Sequence, residues 1–130
     1  MEFPPACPEI PVSELASALA YYRDCLGFTV DWADEDLGLA GLSQGESRLF
    51  MGAAHYRAHL KTGGRPLALW FNMSNCEEVD SLYARWLAAG AKLDRPPAAK
   101  PHKLYEFLAF DLDGNLLRVF YDFAWEEREG

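Results

Sequence analysis

Tyr105-Glu106-Phe107-Leu108-Ala109-Phe110-Asp111-Leu112-Asp113-Gly114-Asn115-Leu116-Leu117-Arg118-Val119-Phe120-Tyr121-Asp122-Phe123 is the stretch that decides the fold. Two aromatic and aliphatic runs meet at Asp113-Gly114, where glycine accepts a positive φ, so the stretch predicts a β-hairpin. With a two-residue loop, Phe107 faces Phe120 and Ala109 faces Arg118. Opposed side chains share one sheet face, so Glu106/Tyr121, Leu108/Val119 and Phe110/Leu117 take the other. A three-residue loop bulged at Gly114 slips this register by one and exchanges the partners. The shorter loop is the expectation. On it, the face with Leu108, Phe110, Leu117 and Val119 packs a helix, which leaves the Arg118 face for function.

Outward from the hairpin, length and composition set bounds. At 130 residues and 50% hydrophobic, the chain suffices for one cored domain rather than two independent ones. The formal charge of -8, from 12 Lys and Arg against 20 Asp and Glu, argues against a nucleic-acid partner and favours attraction of cations. Cys7, Cys25 and Cys76 are odd in number, scattered and without a CxxC pair, which fits neither a disulfide framework nor a zinc knuckle. A reduced, cytoplasmic setting is expected. Glu2, Pro4, Pro5 and Pro8 rule against a signal-peptide core, and no run reaches the ~18 apolar residues of a membrane span.

From the N-terminus, residues 7 to 12 read as a short end strand confined by two prolines. Ser13 is the expected cap of a helix over residues 14 to 25, with Leu15, Ala18, Leu19, Tyr22 and Leu26 on one stripe and Gly27 as terminator. Phe28, Val30 and Trp32 alternate as a strand, followed by the acidic turn Asp34-Glu35-Asp36 and two more strands, Leu37 to Leu42 and Arg48 to Met51. Residues 53 to 65 lose strand periodicity and end at Gly63-Gly64, a linker signal. The pattern then restarts. Leu67, Leu69, Phe71 and Met73 alternate with Pro66, Ala68, Trp70 and Asn72. Ser74 and Glu77 have capping-box spacing, and Val79, Leu82, Tyr83 and Trp86 reproduce the first helical stripe in phase, half a chain later. The second copy carries a proline-rich insertion, residues 95 to 102, which is unfit for a central strand and is expected to arch over a cavity.

Pro11-Val-Ser-Glu-Leu15, Tyr21-Tyr-Arg-Asp-Cys-Leu-Gly-Phe28 and Asp111-Leu-Asp-Gly-Asn115 resemble the vicinal-oxygen-chelate superfamily, which includes glyoxalase I, extradiol dioxygenases and the bleomycin-resistance proteins. The resemblance spans nearly the whole chain. It implies an α+β fold of two βαβββ modules, residues 7–53 and 66–123 joined by a linker at 54–65, each a curled sheet with its helix outside, together enclosing a ligand cavity. It also implies a homodimer. The four places where metal-dependent relatives carry ligands hold Cys7, Phe50, Pro66 and Arg118: one phenyl ring, one residue without a ligand atom and one cation, so no metal site of that kind is expected. A lone Cys7 is more often a small buried hydrophobe. The likeness therefore points to the bleomycin-resistance branch, whose members bind a drug without chemistry; Asp31-Trp-Ala-Asp-Glu-Asp36 and Leu69-Trp-Phe71 extend it. The alternative is an enzyme of the same superfamily acting on a small organic substrate.

The candidate ligand-binding residues are Glu9, Trp32, Phe50, Trp70, Tyr105, Phe107, Arg118 and Phe120. Trp70 and Phe50 point to a cavity on the alternation, with plain core packing as the competing reading; for Tyr22, Tyr83 and Trp86 core packing is the expectation. The acids Asp31, Asp34, Glu35 and Asp36 read as a solvated turn, and His55 and His59 as surface histidines despite their i,i+4 spacing. Arg118, a charge in mid-strand, needs a partner: either a structural carboxylate, Glu9 or Asp122, or an anionic ligand. Glu9 could exchange a proton if buried. No catalytic residue is nominated, and no metal or other cofactor is expected. The partner expected is a small molecule of the bleomycin type, cationic and carrying flat rings, with neither nucleic acid nor membrane.

Overall fold

The computed structural model describes residues 2–58 and 65–124, and in it the chain divides into two compact units, residues 1–67 and 68–130. His59 and the Gly63-Gly64 pair lie outside the described residues. Among the described residues, no helix is long and apolar enough to cross a membrane.

The first unit runs β1 (Glu9–Val12), α1 (Leu15–Asp24), β2 (Thr29–Asp34), β3 (Leu39–Gln44), β4 (Ser47–Ala53) and a short helix α2 (Ala54–Arg57), within the span read as a linker. Its sheet has the order β1-β4-β3-β2, parallel between β1 and β4 and antiparallel elsewhere. One face is apolar because alternation puts Ile10, Val12, Ala40, Leu42, Leu49 and Met51 on it, all buried. Helix α1 presents Leu15, Ala18, Leu19 and the fully buried Tyr22 from its own apolar stripe. Each large aliphatic buried this way contributes about 1.5–3 kcal/mol. Glu14, not Ser13, occupies the N-cap and makes no side-chain cap hydrogen bond. The C-terminus ends as read: Gly27 takes φ 81°, and the Phe28 N–H donates to Tyr22 O at 2.9 Å.

The second unit repeats the plan as β5 (Ala68–Asn72), α3 (Cys76–Ala88), β6 (Lys92–Leu93), β7 (Ala98–Ala99), β8 (Leu104–Phe110) and β9 (Leu116–Asp122), with β5-β9 parallel and β9-β8 antiparallel. The two sheets, each with one long helix, make the α+β, glyoxalase-like architecture that the motifs implied. The proline-rich insertion stays out of the central strands, as its prolines require, and part of it lies along the sheet edge: Ala98 and Ala99 pair with Glu106 and Tyr105, beside β6 on the same edge of β8, and Asp94 to Pro97 bulge between the two short strands. The cap of α3 falls one residue later than Ser74/Glu77. Asn75 Oδ1 accepts the Glu78 N–H at 2.8 Å, while Glu78 Oε1 accepts the Ser74 N–H at 2.7 Å.

The terminal hairpin corrects the expected register. Phe110 pairs with Leu116, Leu108 with Arg118, Phe107 with Val119 and Glu106 with Phe120, so the connection is residues 111 to 115 rather than Asp113-Gly114 alone. The buried Asp111 side chain sets that length: Oδ1 accepts the N–H groups of Asp113 and Asn115, both at 2.9 Å, and Oδ2 accepts Asn115 Nδ2–H at 2.8 Å. The register is therefore the slipped one, and every side chain of one strand changes face relative to the other. Phe107, Ala109, Leu117 and Val119 form the buried face against α3, while Leu108 and Phe110 lie on the Arg118 face.

Candidate functional site

In the second unit, Trp70 on β5 is the Cα partner of Arg118 on β9, and Arg118 in turn is the partner of Leu108 on β8. These three make a row on the face opposite α3. Arg118 Cζ lies 4.4 Å from the Trp70 ring centroid, within cation–π range. The Phe120 and Trp70 rings meet in a T-shaped arrangement with centroids 5.6 Å apart, and Trp70 remains 56% exposed. The cation has a partner on its own face: Arg118 Nη1 donates to Glu106 Oε2 at 2.8 Å, and Glu106 is only 5% exposed against 21% for Arg118. The second Glu106 oxygen, Oε1, lies 3.3 Å from His102 Nε2. Neither Glu9 nor Asp122 is this partner. The expected register had put Glu106 on the face opposite Arg118, which hid the pair.

In the first unit, the matching row crosses the whole sheet: Glu9 pairs with Phe50, Phe50 with Gly41, and Gly41 with Trp32. The register of β2 shifts between Val30 and Trp32, a β-bulge at Asp31. It carries Trp32 to the face opposite Val30, against the simple alternation of Phe28, Val30 and Trp32. Gly41 then allows the indole to lie across the strand, because a Cβ there would stand 2.5 Å from Trp32 Nε1. The Trp32 and Phe50 ring centroids are 6.2 Å apart. Glu9 ends the row, with Oε2 accepting from Arg57 Nη1 at 2.6 Å. Arg57 comes from α2 and is buried, its stem seated where a Cβ on Gly52 would be.

Six of the eight candidates thus lie on the two open faces, three in each unit: Glu9, Trp32 and Phe50; Trp70, Arg118 and Phe120. Tyr105 and Phe107 do not join Arg118. Phe107 is buried with its ring 5.2 Å from Tyr83 and 5.7 Å from Trp86. The Tyr105 hydroxyl donates to Asp80 Oδ1 of α3 at 2.6 Å. That hydrogen bond, with burial and the Asp80 charge, pushes the phenol up from 10.0 to about 12. Glu106, His102, Arg57 and Gly41 were missed from sequence; alternation on the other register would have found Glu106, and nothing local marks the rest. The acids Asp31, Asp34, Glu35 and Asp36 are exposed; Asp34 Oδ1 accepts the Leu37 N–H at 3.0 Å across the acidic turn, while Asp31 lies within β2 rather than in the turn and its Oδ1 accepts the Ser43 hydroxyl of β3 at 3.1 Å.

A metal of the superfamily's kind does not fit this donor set. Phe50 offers a ring, Pro66 nothing, and the Arg118 guanidinium is a cation already engaged by Glu106 and Trp70. Cys7 is exposed, not buried. Among the described residues, no three of His, Cys, Asp and Glu are grouped so as to hold a metal ion.

Comparison with known proteins places the geometry in context. The profile described as Glyoxalase/Bleomycin resistance protein/Dioxygenase superfamily matches residues 6–119. A search of curated proteins by sequence finds no match. Among solved structures, a glyoxalase/bleomycin resistance protein/dioxygenase from Nocardioides aligns with a TM-score of 0.77 at 18% identity, covering 93% of this chain and 85% of its own. TioX from Micromonospora sp. ML1 aligns at 0.75 and 21% identity, over 92% of this chain and 99% of its own. Lactoylglutathione lyase from Agrobacterium tumefaciens aligns at 0.75 and 20% identity, over 94% and 98%. At such identities the likeness is one of fold.

Proposed function

Because the chain belongs to the glyoxalase/bleomycin resistance protein/dioxygenase superfamily, we propose that it is a metal-free binding protein that sequesters a flat, cationic aromatic compound of the bleomycin type. The observation that carries this reading is the exposed Trp70, whose ring is braced by a T-shaped contact with Phe120 and by the Arg118 guanidinium within cation–π range. A ring presented so can stack a flat ligand on its open side. The positive charge of Arg118 would repel a cation, but Glu106 pairs with it at 2.8 Å and cancels it locally. The net charge of -8 then favours a cation at longer range. In the first unit, Trp32 and Phe50 beside Glu9 supply a second aromatic row of the same character. A homodimer belongs to this proposal, since β1, β2 and β5 end their sheets and offer edges for a second copy to cover.

Titration of tryptophan emission with bleomycin tests it. Saturable quenching near micromolar, about -8 kcal/mol, weakened by salt and lost in Trp70→Ala, supports sequestration. Absence of binding overturns it and leaves a binder of another ligand or an enzyme; a stoichiometric transition metal retained through dialysis, together with activity lost on chelation, replaces it with the enzyme reading.

A further inference from the structure

On the open face of the first unit, Glu9 is held by one of its two oxygens. Oε2 accepts from Arg57 Nη1 at 2.6 Å, and both groups lie beside Gly52, where a Cβ would stand 3.2 Å from Oε2 and 2.9 Å from Arg57 Cγ. A larger residue there would crowd both halves of the pair. A carboxylate offers about four lone-pair sites on its two oxygens, and among the described residues Arg57 is the one hydrogen-bond partner of Glu9. Oε1 is left over, on a side chain that is 28% exposed while Arg57 is at 9%. Its surroundings are aromatic: Glu9 is the Cα partner of Phe50, and the Phe50 and Trp32 ring centroids are 6.2 Å apart. Neighbouring strands lie about 4.8 Å apart, so a flat molecule lying on those rings has its rim beside Glu9.

We propose that Glu9 Oε1 accepts an N–H on the rim of a flat aromatic cation stacked on Phe50 and Trp32, with Arg57 holding the carboxylate in place. Because Arg57 offsets the carboxylate charge, the free oxygen selects a directed N–H donor rather than positive charge alone. Attraction of the cation from a distance is left to the net charge of -8. A carboxylate fixed before the ligand arrives needs little further ordering on binding. The class of ligand is therefore an aromatic ring carrying an amine with at least one N–H, in preference to the same ring with its amines fully alkylated. The inference rests on the reading of the open aromatic faces as ligand surfaces.

Proflavine and acridine orange test it. Both are flat tricyclic cations at neutral pH, but the ring amines of proflavine carry N–H groups and those of acridine orange are dimethylated. Dye emission gives the affinity of each for the full chain as wild type, Glu9→Gln and Phe50→Leu. The wild type should hold proflavine about tenfold more tightly than acridine orange, as for one hydrogen bond to a charged acceptor. In Glu9→Gln the amide oxygen stays with Arg57 and the NH2 group turns to the ligand, so the preference should fall to about one through weaker proflavine binding alone. Phe50→Leu should weaken both dyes together and keep the preference. If thermal melting shows Glu9→Gln to be unfolded, Glu9→Asp, one methylene short of the rim, carries the same expectation. Equal affinity of the wild type for the two dyes, no binding of proflavine, or an unchanged preference in the Glu9 variant overturns the proposal. A wild type that fails to bind bleomycin yet keeps a Glu9-dependent dye preference sinks the bleomycin assignment and leaves this inference standing.

Discussion

Arg118 and Trp70 are partners across the parallel β5–β9 pair, and the guanidinium carbon stands 4.4 Å from the indole centroid. A strand-centre cation thereby does two things at once: it satisfies a buried carboxylate and it supports an aromatic ring from below. Burial is unequal within the ion pair, with Glu106 at 5% and Arg118 at 21% exposure, and that inequality makes a prediction about its two halves.

Arg118→Met keeps the aliphatic stem but leaves Glu106 buried with only His102, and should lower stability by about 3 kcal/mol. Glu106→Gln keeps an acceptor for Nη1, and the less buried guanidinium can turn to water, so its cost should be nearer 1 kcal/mol. Urea denaturation of the two variants gives the order; the reverse order would mean that the pair is not the main contact of Glu106.

Gly41→Ala should displace Trp32, since the added Cβ would come within 2.5 Å of Nε1 and 2.9 Å of Cε2 on a rigid ring. The expected cost is about 1–2 kcal/mol for overpacking, together with a red-shifted Trp32 emission. An unchanged spectrum would show that the indole does not lie across Gly41.

Tyr105 makes stability fall at high pH. Its phenol is raised from 10.0 to about 12 in the fold, chiefly by the hydrogen bond to Asp80. A raised folded value means that the contribution is complete below pH 10 and is lost as pH climbs through 12. Tyr105→Phe should abolish that alkaline step in a plot of stability against pH and cost about 1 kcal/mol at neutral pH; persistence of the step assigns it to another group.

Asp111→Ala should be costly, because it removes the Asp111 carboxylate that accepts both the backbone N–H and the Nδ2–H of the buried Asn115. At about 1–1.5 kcal/mol for each hydrogen bond lost, a loss of about 2 kcal/mol is expected. Leu112→Ala, at an exposed position of the same loop, should stay within about 0.5 kcal/mol. Thermal melts compare the two, and equal losses would remove the loop network as the determinant of register.

Much of the architecture was legible in the residues. The stripes of α1 and α3, repeated half a chain apart, place a helix on each sheet, and burial of Tyr22, Val79 and Trp86 follows from them. The aromatic character of the open faces was legible too, since Trp32, Phe50, Trp70 and Phe120 stand in strands whose other face is apolar.

Which face a residue takes is a different matter. Alternation has a period of two, so a shift of one residue preserves the whole hydrophobic pattern of a hairpin and reverses its sides. Asp111, folding its carboxylate onto Asn115, chooses the register, and with it moves Phe107 to the core and brings Glu106 to Arg118. The bulge at Asp31 does the same for Trp32. Local composition determined that there are strands, helices and a repeat, because those depend on periodicity along the chain. The ion pairs Glu106–Arg118 and Glu9–Arg57 and the indole over Gly41 were decided by the tertiary structure alone, because each joins residues that only loop hydrogen bonds and strand pairing bring to one side of a sheet.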